Sequence, residues 1–157
     1  MNGIDIAVVL SEVKSLVEGL YVDNIYLVDR ALILKLRGGG ISRELVVDAD
    51  RAVYLTAFEK IKPIKPHQFA MFLRKYLSGL RVSNVSQRGL ERIIEVSFEG
   101  GRGKYNLVAE LFANGSVVFL DENHVVKAVL RRTYSKTRAI KVGSAYQYPP
   151  TLEDPRE

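Results

Sequence analysis

The chain has 157 residues, 47% of them apolar and 26% charged, with a net charge of +5. That suffices for one domain with its own core, and the absence of cysteine excludes disulfides and thiolate metal sites. Asp5, Glu12, Lys14 and Glu18 interrupt the amino-terminal stretch, and nowhere do the roughly 20 apolar residues of a membrane helix occur, so the expectation is a cytoplasmic protein without a membrane partner.

Ile6, Val9, Leu10, Val13, Leu16 and Val17 recur at the spacing of one buried helix face, with Asp5 as a plausible N-cap and Gly19 as the stop. Two β-rich pairs follow. Asn24 to Val28 and Leu32 to Leu36 turn through Asp29-Arg30, and Glu44 to Val47 and Ala52 to Leu55 turn through Asp48-Ala49-Asp50. The tract Gly38-Gly39-Gly40 reads as a hairpin or bulge rather than a phosphate cradle, because no helix with a Lys-Ser/Thr pair follows it.

A second helix is expected from Pro66, its first residue, to Gly79, burying Phe69, Phe72, Leu73, Tyr76 and Leu77. Strands then follow at Val82 to Ser86, Arg92 to Phe98, Tyr105 to Leu111, Ser116 to Leu120 and Val125 to Val129. No internal repeat stands out. The pattern implies an α+β fold with two packed antiparallel β-sheets and two flanking helices.

His67 and His124 are far apart and lack partners at metal-ligand spacing, so no metal or other cofactor is expected. His67 reads as a solvent-facing residue in the first turn of the second helix. No nucleophile motif, nucleotide fingerprint or paired carboxylates mark a catalytic centre. The charge distribution says more. From Asn123 to Leu152 there is no Asp or Glu, while Lys127, Arg131, Arg132, Lys136, Arg138 and Lys141 fall within the stretch. Such a segment is either a solvated basic loop or a contact for a polyanion.

The segment Lys65-Pro66-His67-Gln68-Phe69-Ala70-Met71-Phe72-Leu73-Arg74-Lys75-Tyr76-Leu77-Ser78-Gly79-Leu80-Arg81-Val82 resembles the signature of the NFACT amino-terminal domain, in an archaeal-type member. Further blocks match in order. They are Asp5 with Ile25-Tyr26, then Gln87, Glu91-Arg92-Ile93-Ile94, Leu107 to Phe112, Val118 to Asp121, Arg138, Gly143, Tyr146 and Pro149-Pro150.

The resemblance implies a fold similar to the amino-terminal domain of formamidopyrimidine-DNA glycosylases, with residues 1–150 as the domain and 151–157 as the start of a linker to downstream domains. It implies a non-catalytic module of a ribosome quality-control factor. Its partners would be tRNA, the large ribosomal subunit carrying a stalled peptidyl-tRNA, and the downstream domains, and it would support untemplated tailing of the stalled chain.

The family's tRNA-engaging positions fall on Asp5, Glu91 and Arg92, with Glu91 standing where an aspartate is usual. Arg74, Lys75, Arg81, Arg131, Arg132, Lys136, Arg138 and Lys141 are the basic-surface candidates. A glycosylase-like DNA-binding domain or repair enzyme is the alternative. Met1-Asn2-Gly3 lacks the amino-terminal proline and glutamate of those enzymes.

Overall fold

The computed structural model describes residues 3–28, 31–48, 52–56, 67–88, 92–111, 116–130 and 140–148. Helix α1 (Gly3–Val17) leads into strands β1 (Tyr21–Val28), β2 (Ala31–Gly38), β3 (Ile41–Asp48) and β4 (Ala52–Thr56). Helix α2 (Gln68–Leu77) then leads into β5 (Arg81–Gln87), β6 (Ile93–Gly100), β7 (Gly103–Glu110), β8 (Val117–Asp121) and β9 (Val126–Val129). The α+β class is as expected.

The strands do not form two separate sheets. They form one antiparallel sheet of nine in the order β4-β3-β2-β1-β5-β6-β7-β8-β9. The join is narrow. β1 and β5 share only the Tyr21–Arg81 register, reinforced where Val22 N–H donates to the Leu80 carbonyl and Val82 N–H to that of Leu20. One continuous core nevertheless takes Leu34, Leu45 and Val53 from the first half and Val96, Leu107 and Phe119 from the second.

The join also exposes an internal repeat that the sequence pattern hides. Gly19-Leu20-Tyr21-Val22-Asp23-Asn24-Ile25 and Gly79-Leu80-Arg81-Val82-Ser83-Asn84-Val85 perform the same steps. Gly19 (φ 92°) and Gly79 (φ 82°) end the two helices in the left-handed region that glycine tolerates. Gly19 N–H donates to the Val82 carbonyl and Gly79 N–H to that of Val22, at 2.8 and 2.9 Å. Each following strand breaks register at the same place, between Val22 and Asn24 and between Val82 and Asn84. Each helix then lies on the other half's first strand, α1 on β5 and α2 on β1. Only a handful of positions coincide between the halves, so the repeat becomes visible in the hydrogen bonding.

α1 buries Ile6, Leu10, Val13 and Val17, but Leu16, expected inside, is exposed. Asp5 sits within the first turn rather than at the cap, where its charge still suits the helix's positive end. In α2, His67 is the N-cap and not a first-turn residue. Its Nδ1 accepts from Phe69 N–H at 3.0 Å. Pro66 lies outside the described residues. Phe69, Leu73 and Leu77 are buried, whereas Phe72 and Tyr76 are only half-buried against the core. Gly39 and Gly40, at φ 57° and 77°, make the two-residue β2–β3 turn whose positive φ at both positions favours glycine.

On the opposite face of the second half, residues 140–148 run along β9. Gly143 N–H donates to the Val126 carbonyl, Val126 N–H to that of Ser144, and Tyr146 N–H to that of His124. Ile140 and Tyr146 close a second apolar cluster with Ile93, Val108, Val118, Leu120 and Val126. This strap also covers part of an edge that would otherwise invite strand pairing.

Candidate functional site

Arg92 immediately precedes β6, at the end of the sheet where Gln87 pairs with Ile94. Its carbonyl accepts from Leu111 N–H at 2.8 Å, which fixes the backbone. Its side chain is half-buried, and its buried Nε has no hydrogen-bond partner among the described residues. Because that Nε is out of the reach of solvent, it is the exposed part of the half-buried guanidinium that can meet an incoming acceptor.

Asp5 is exposed on α1, and the packing of that helix directs it toward the same end. Lys14 Nζ reaches Asn84 Oδ1 at 2.7 Å and the Val85 carbonyl at 3.3 Å, and Gly19 bonds to Val82, so α1 runs antiparallel to β5. From Lys14 back to Asp5 the helix climbs about 13 Å, which is about four strand residues past Val85 and beyond the end of β5. Glu91 lies outside the described residues, as do Arg131, Arg132, Lys136 and Arg138.

The other basic candidates sort by their contacts. Arg74 is half-buried, donates from Nε to the Ile25 carbonyl at 2.6 Å and lies 5.0 Å from the Tyr26 ring, so it joins α2 to β1. It is the repeat counterpart of Lys14, which reaches the Val85 carbonyl in the same way. Arg81 is paired with Glu99. Lys75 is exposed, with Nζ 5.7 Å from the Tyr76 ring. Lys141 is exposed, and its carbonyl accepts from Ser144 Oγ at 2.6 Å.

Two features escape a linear reading. Glu110, inside the Leu107-to-Phe112 block, is completely buried and accepts from the Ser116 amide at 3.2 Å and from Tyr146 Oη at 2.5 Å. Two blocks far apart in sequence thus meet, and the contact pins the strap. The second feature is an aromatic cluster between α2 and the sheet. Tyr76 lies 5.1 Å from Phe72, 5.6 Å from Tyr105 and 5.8 Å from Phe119 between ring centroids. Lys127 Nζ is 4.8 Å from the Tyr76 ring, and Arg102 donates to the Lys75 carbonyl at 3.4 Å. Lys127 and Tyr105 lie far from Tyr76 in sequence and give no motif with it, which is why only the fold assembles them.

Among the described residues, two titrating groups are shifted. Partial burial alone raises the Glu18 carboxyl, but the Lys14 ammonium and the Val85 amide outweigh it and hold the group below its ordinary value. Burial pushes the Tyr148 phenol up and Glu95 adds to this, against the opposing charge of Arg88, whose guanidinium lies 4.0 Å from the ring. Among the described residues no group of His, Asp and Glu is arranged to hold a metal ion, and no helix is long and apolar enough to cross a membrane.

Relatives place the chain in a family. It is 37% identical over 157 residues to the archaeal Rqc2 homolog aRqcH of Methanocaldococcus jannaschii, covering 96% of this chain and 23% of that protein. It is 29% identical to the ribosome quality control complex subunit NEMF of Homo sapiens, covering 93% of this chain and 14% of the relative. The chain therefore spans less than a quarter of the length of these relatives. Its fold matches the crystal structure of the N-terminal domain of fibronectin-binding protein PavA from Streptococcus pneumoniae, with a TM-score of 0.86 at 22% identity, covering 99% of this chain and 66% of the other. The family model described as NFACT N-terminal and middle domains matches residues 2–156, and the chain belongs to that family.

Proposed function

We propose that the chain is a non-catalytic RNA-binding module of a ribosome quality-control factor, engaging tRNA on the large ribosomal subunit and supporting untemplated tailing of stalled nascent chains. The names of its relatives support the quality-control role. The observation that carries the binding site is Arg92, a half-buried guanidinium at the strand end whose backbone is fixed by Leu111 and whose Nε has no partner among the described residues. A guanidinium in that state can fork onto a phosphate or stack on an unpaired base. Asp5 would orient such an arginine or accept from a ribose hydroxyl, and Glu91 would serve beside it. Residues 131–139 and Lys141 would add charge.

The test is deacylated tRNA binding to this chain across a salt series. We expect affinity to fall steeply with salt, because phosphate contacts release counterions. Arg92→Glu should weaken binding more than Arg156→Glu in the tail. Equal losses would reduce Arg92 to a share of the overall charge and remove the site.

A further inference from the structure

Several of the described cations are neutralised by a carboxylate. Lys14 is paired with Glu18, Lys35 and Arg37 with Asp23, and Arg81 with Glu99. Lys75, Arg102 and Lys127 have no carboxylate partner among the described residues, and they are neighbours. Lys75 and Lys127 both approach the Tyr76 ring, and Arg102 rests on the backbone of Lys75. Tyr105 abuts Tyr76 and stacks on the buried Phe119 at 5.4 Å. The face is therefore continuous, and it lies on the α2 side of the molecule.

We propose that Lys75, Tyr76, Arg102, Tyr105 and Lys127 form a second RNA-binding surface, distinct from the Arg92 end of the sheet, that grips the phosphate backbone. Cations left unneutralised beside one another repel, so the arrangement is relieved by an anion. Resting an ammonium on an aromatic face offsets part of that repulsion without cancelling the charge. Neither tyrosine hydroxyl has a hydrogen-bond partner among the described residues, so both are available to a phosphate or a ribose hydroxyl.

The surroundings are mixed, with a mostly apolar groove on one side and a basic run of sequence on the other. An open groove of about 560 Å³ continues from Lys127 and Phe72 along α2 to His67 and Gln68. β9, which carries Lys127, leads in sequence into residues 131–139, with four cations and no acid. An anionic membrane would favour protruding apolar side chains between the lysines. Here the rings of Phe72, Tyr76 and Tyr105 pack on one another and on Phe119, although Met71 and Val142 in the adjoining groove are exposed, which is why vesicle competition is an arm of the test. The α1–β5 contact and the Arg92 strand end belong to another part of the sheet, so the two surfaces would hold different stretches of RNA.

The proposal rests on the chain being an RNA-binding module, and the experiment separates the two claims. Labelled tRNA is titrated at several salt concentrations against the chain, the Lys75→Gln/Arg102→Gln/Lys127→Gln triple variant, and Arg92→Glu, with thermal melting to confirm each is folded. Loss of three phosphate contacts should make the slope of log affinity against log salt shallower by about two. Tyr76→Phe with Tyr105→Phe keeps the rings, and should weaken binding several-fold without changing the slope.

An unchanged slope and affinity in the triple variant overturns the second surface, whatever Arg92→Glu does. A shallower slope in the triple variant with Arg92→Glu unaffected upholds the surface and overturns the Arg92 site. No RNA binding by the parent chain overturns both. Competition by polyglutamate or by phosphatidylserine vesicles as strong as that by RNA, lost in the same triple variant, overturns RNA as the occupant.

Discussion

The two halves of the molecule share a framework and differ in what they place on it. In both, a helix ends at a left-handed glycine and a basic side chain reaches a carbonyl on the opposite strand: Lys14 to Val85 and Arg74 to Ile25. In both, a glycine at a strand end lies against a leucine, Gly38 against Leu20 and Gly100 against Leu80. In the first half Asp23 serves Lys35 and Arg37. The second carries the aromatic cluster, the adjoining Lys75, Arg102 and Lys127, the buried Glu110 and the strap. What the halves share holds the domain together, and the candidate RNA surfaces draw mostly on what only the second possesses.

The largest test of that contrast is Phe119. It pairs with Leu107 as Leu55 pairs with Leu45, so Leu55 is its counterpart. Phe119 is completely buried among three other rings, and Phe119→Ala should cost about 3–5 kcal/mol by denaturant unfolding. Leu55 is only half-buried, and Leu55→Ala should cost clearly less. Equal costs would mean that the aromatic cluster is not the centre of the second half. Phe72, half-buried, should likewise fall below Phe119.

The paired glycines give a smaller effect. A Cβ on Gly100 would stand 2.6 Å from Leu80 Cδ2, and one on Gly38 would stand 3.0 Å from Leu20 Cδ2. Leu80 is 2% exposed and has little room to yield, whereas Leu20 is half-buried. Gly100→Ala should therefore cost about 1–3 kcal/mol through overpacking, and Gly38→Ala less. Thermal melts of the two variants check the order, and a reversal would show that the two contacts are not equivalent.

The smallest effect concerns acid. The first half's clamp pairs Lys14 with Glu18, whereas Arg74 in the second is followed at the same spacing by Ser78. The Glu18 carboxyl is held below its ordinary value of 4.5 in the fold, so it binds a proton less readily folded than unfolded. Its contribution to stability is therefore present above that value and lost as pH falls through the lowered one. Glu18→Ser should destabilise the domain near neutral pH and converge on the parent chain in acid. A constant difference across pH would assign the effect to packing.

Most of the elements were legible because they rest on local chemistry. Helical spacing placed α1 and α2, Gly19 and Gly79 marked their ends, and alternating apolar runs located the strands. The failures have a common origin. Leu16 and Phe72 fit a buried helical spacing, but exposure depends on which neighbour covers a face, and periodicity does not specify that. The repeat was hidden because the halves agree in only a few side chains, while the matching bonds are between backbone groups. Of the candidate site, the motif blocks supplied Asp5 and Arg92, but not that α1 packing aims Asp5 toward the end of the sheet where Arg92 enters β6.

The sequence by itself determined the secondary structure, the family and the basic character, since each is written in neighbouring residues or in ordered motif blocks. The tertiary structure decided that the halves join as one nine-stranded sheet, with each helix resting on the other half. It also decided which cations are neutralised and which are not. Charge pairing depends on distances of a few ångströms between residues remote in the chain, and only the folded backbone sets those distances.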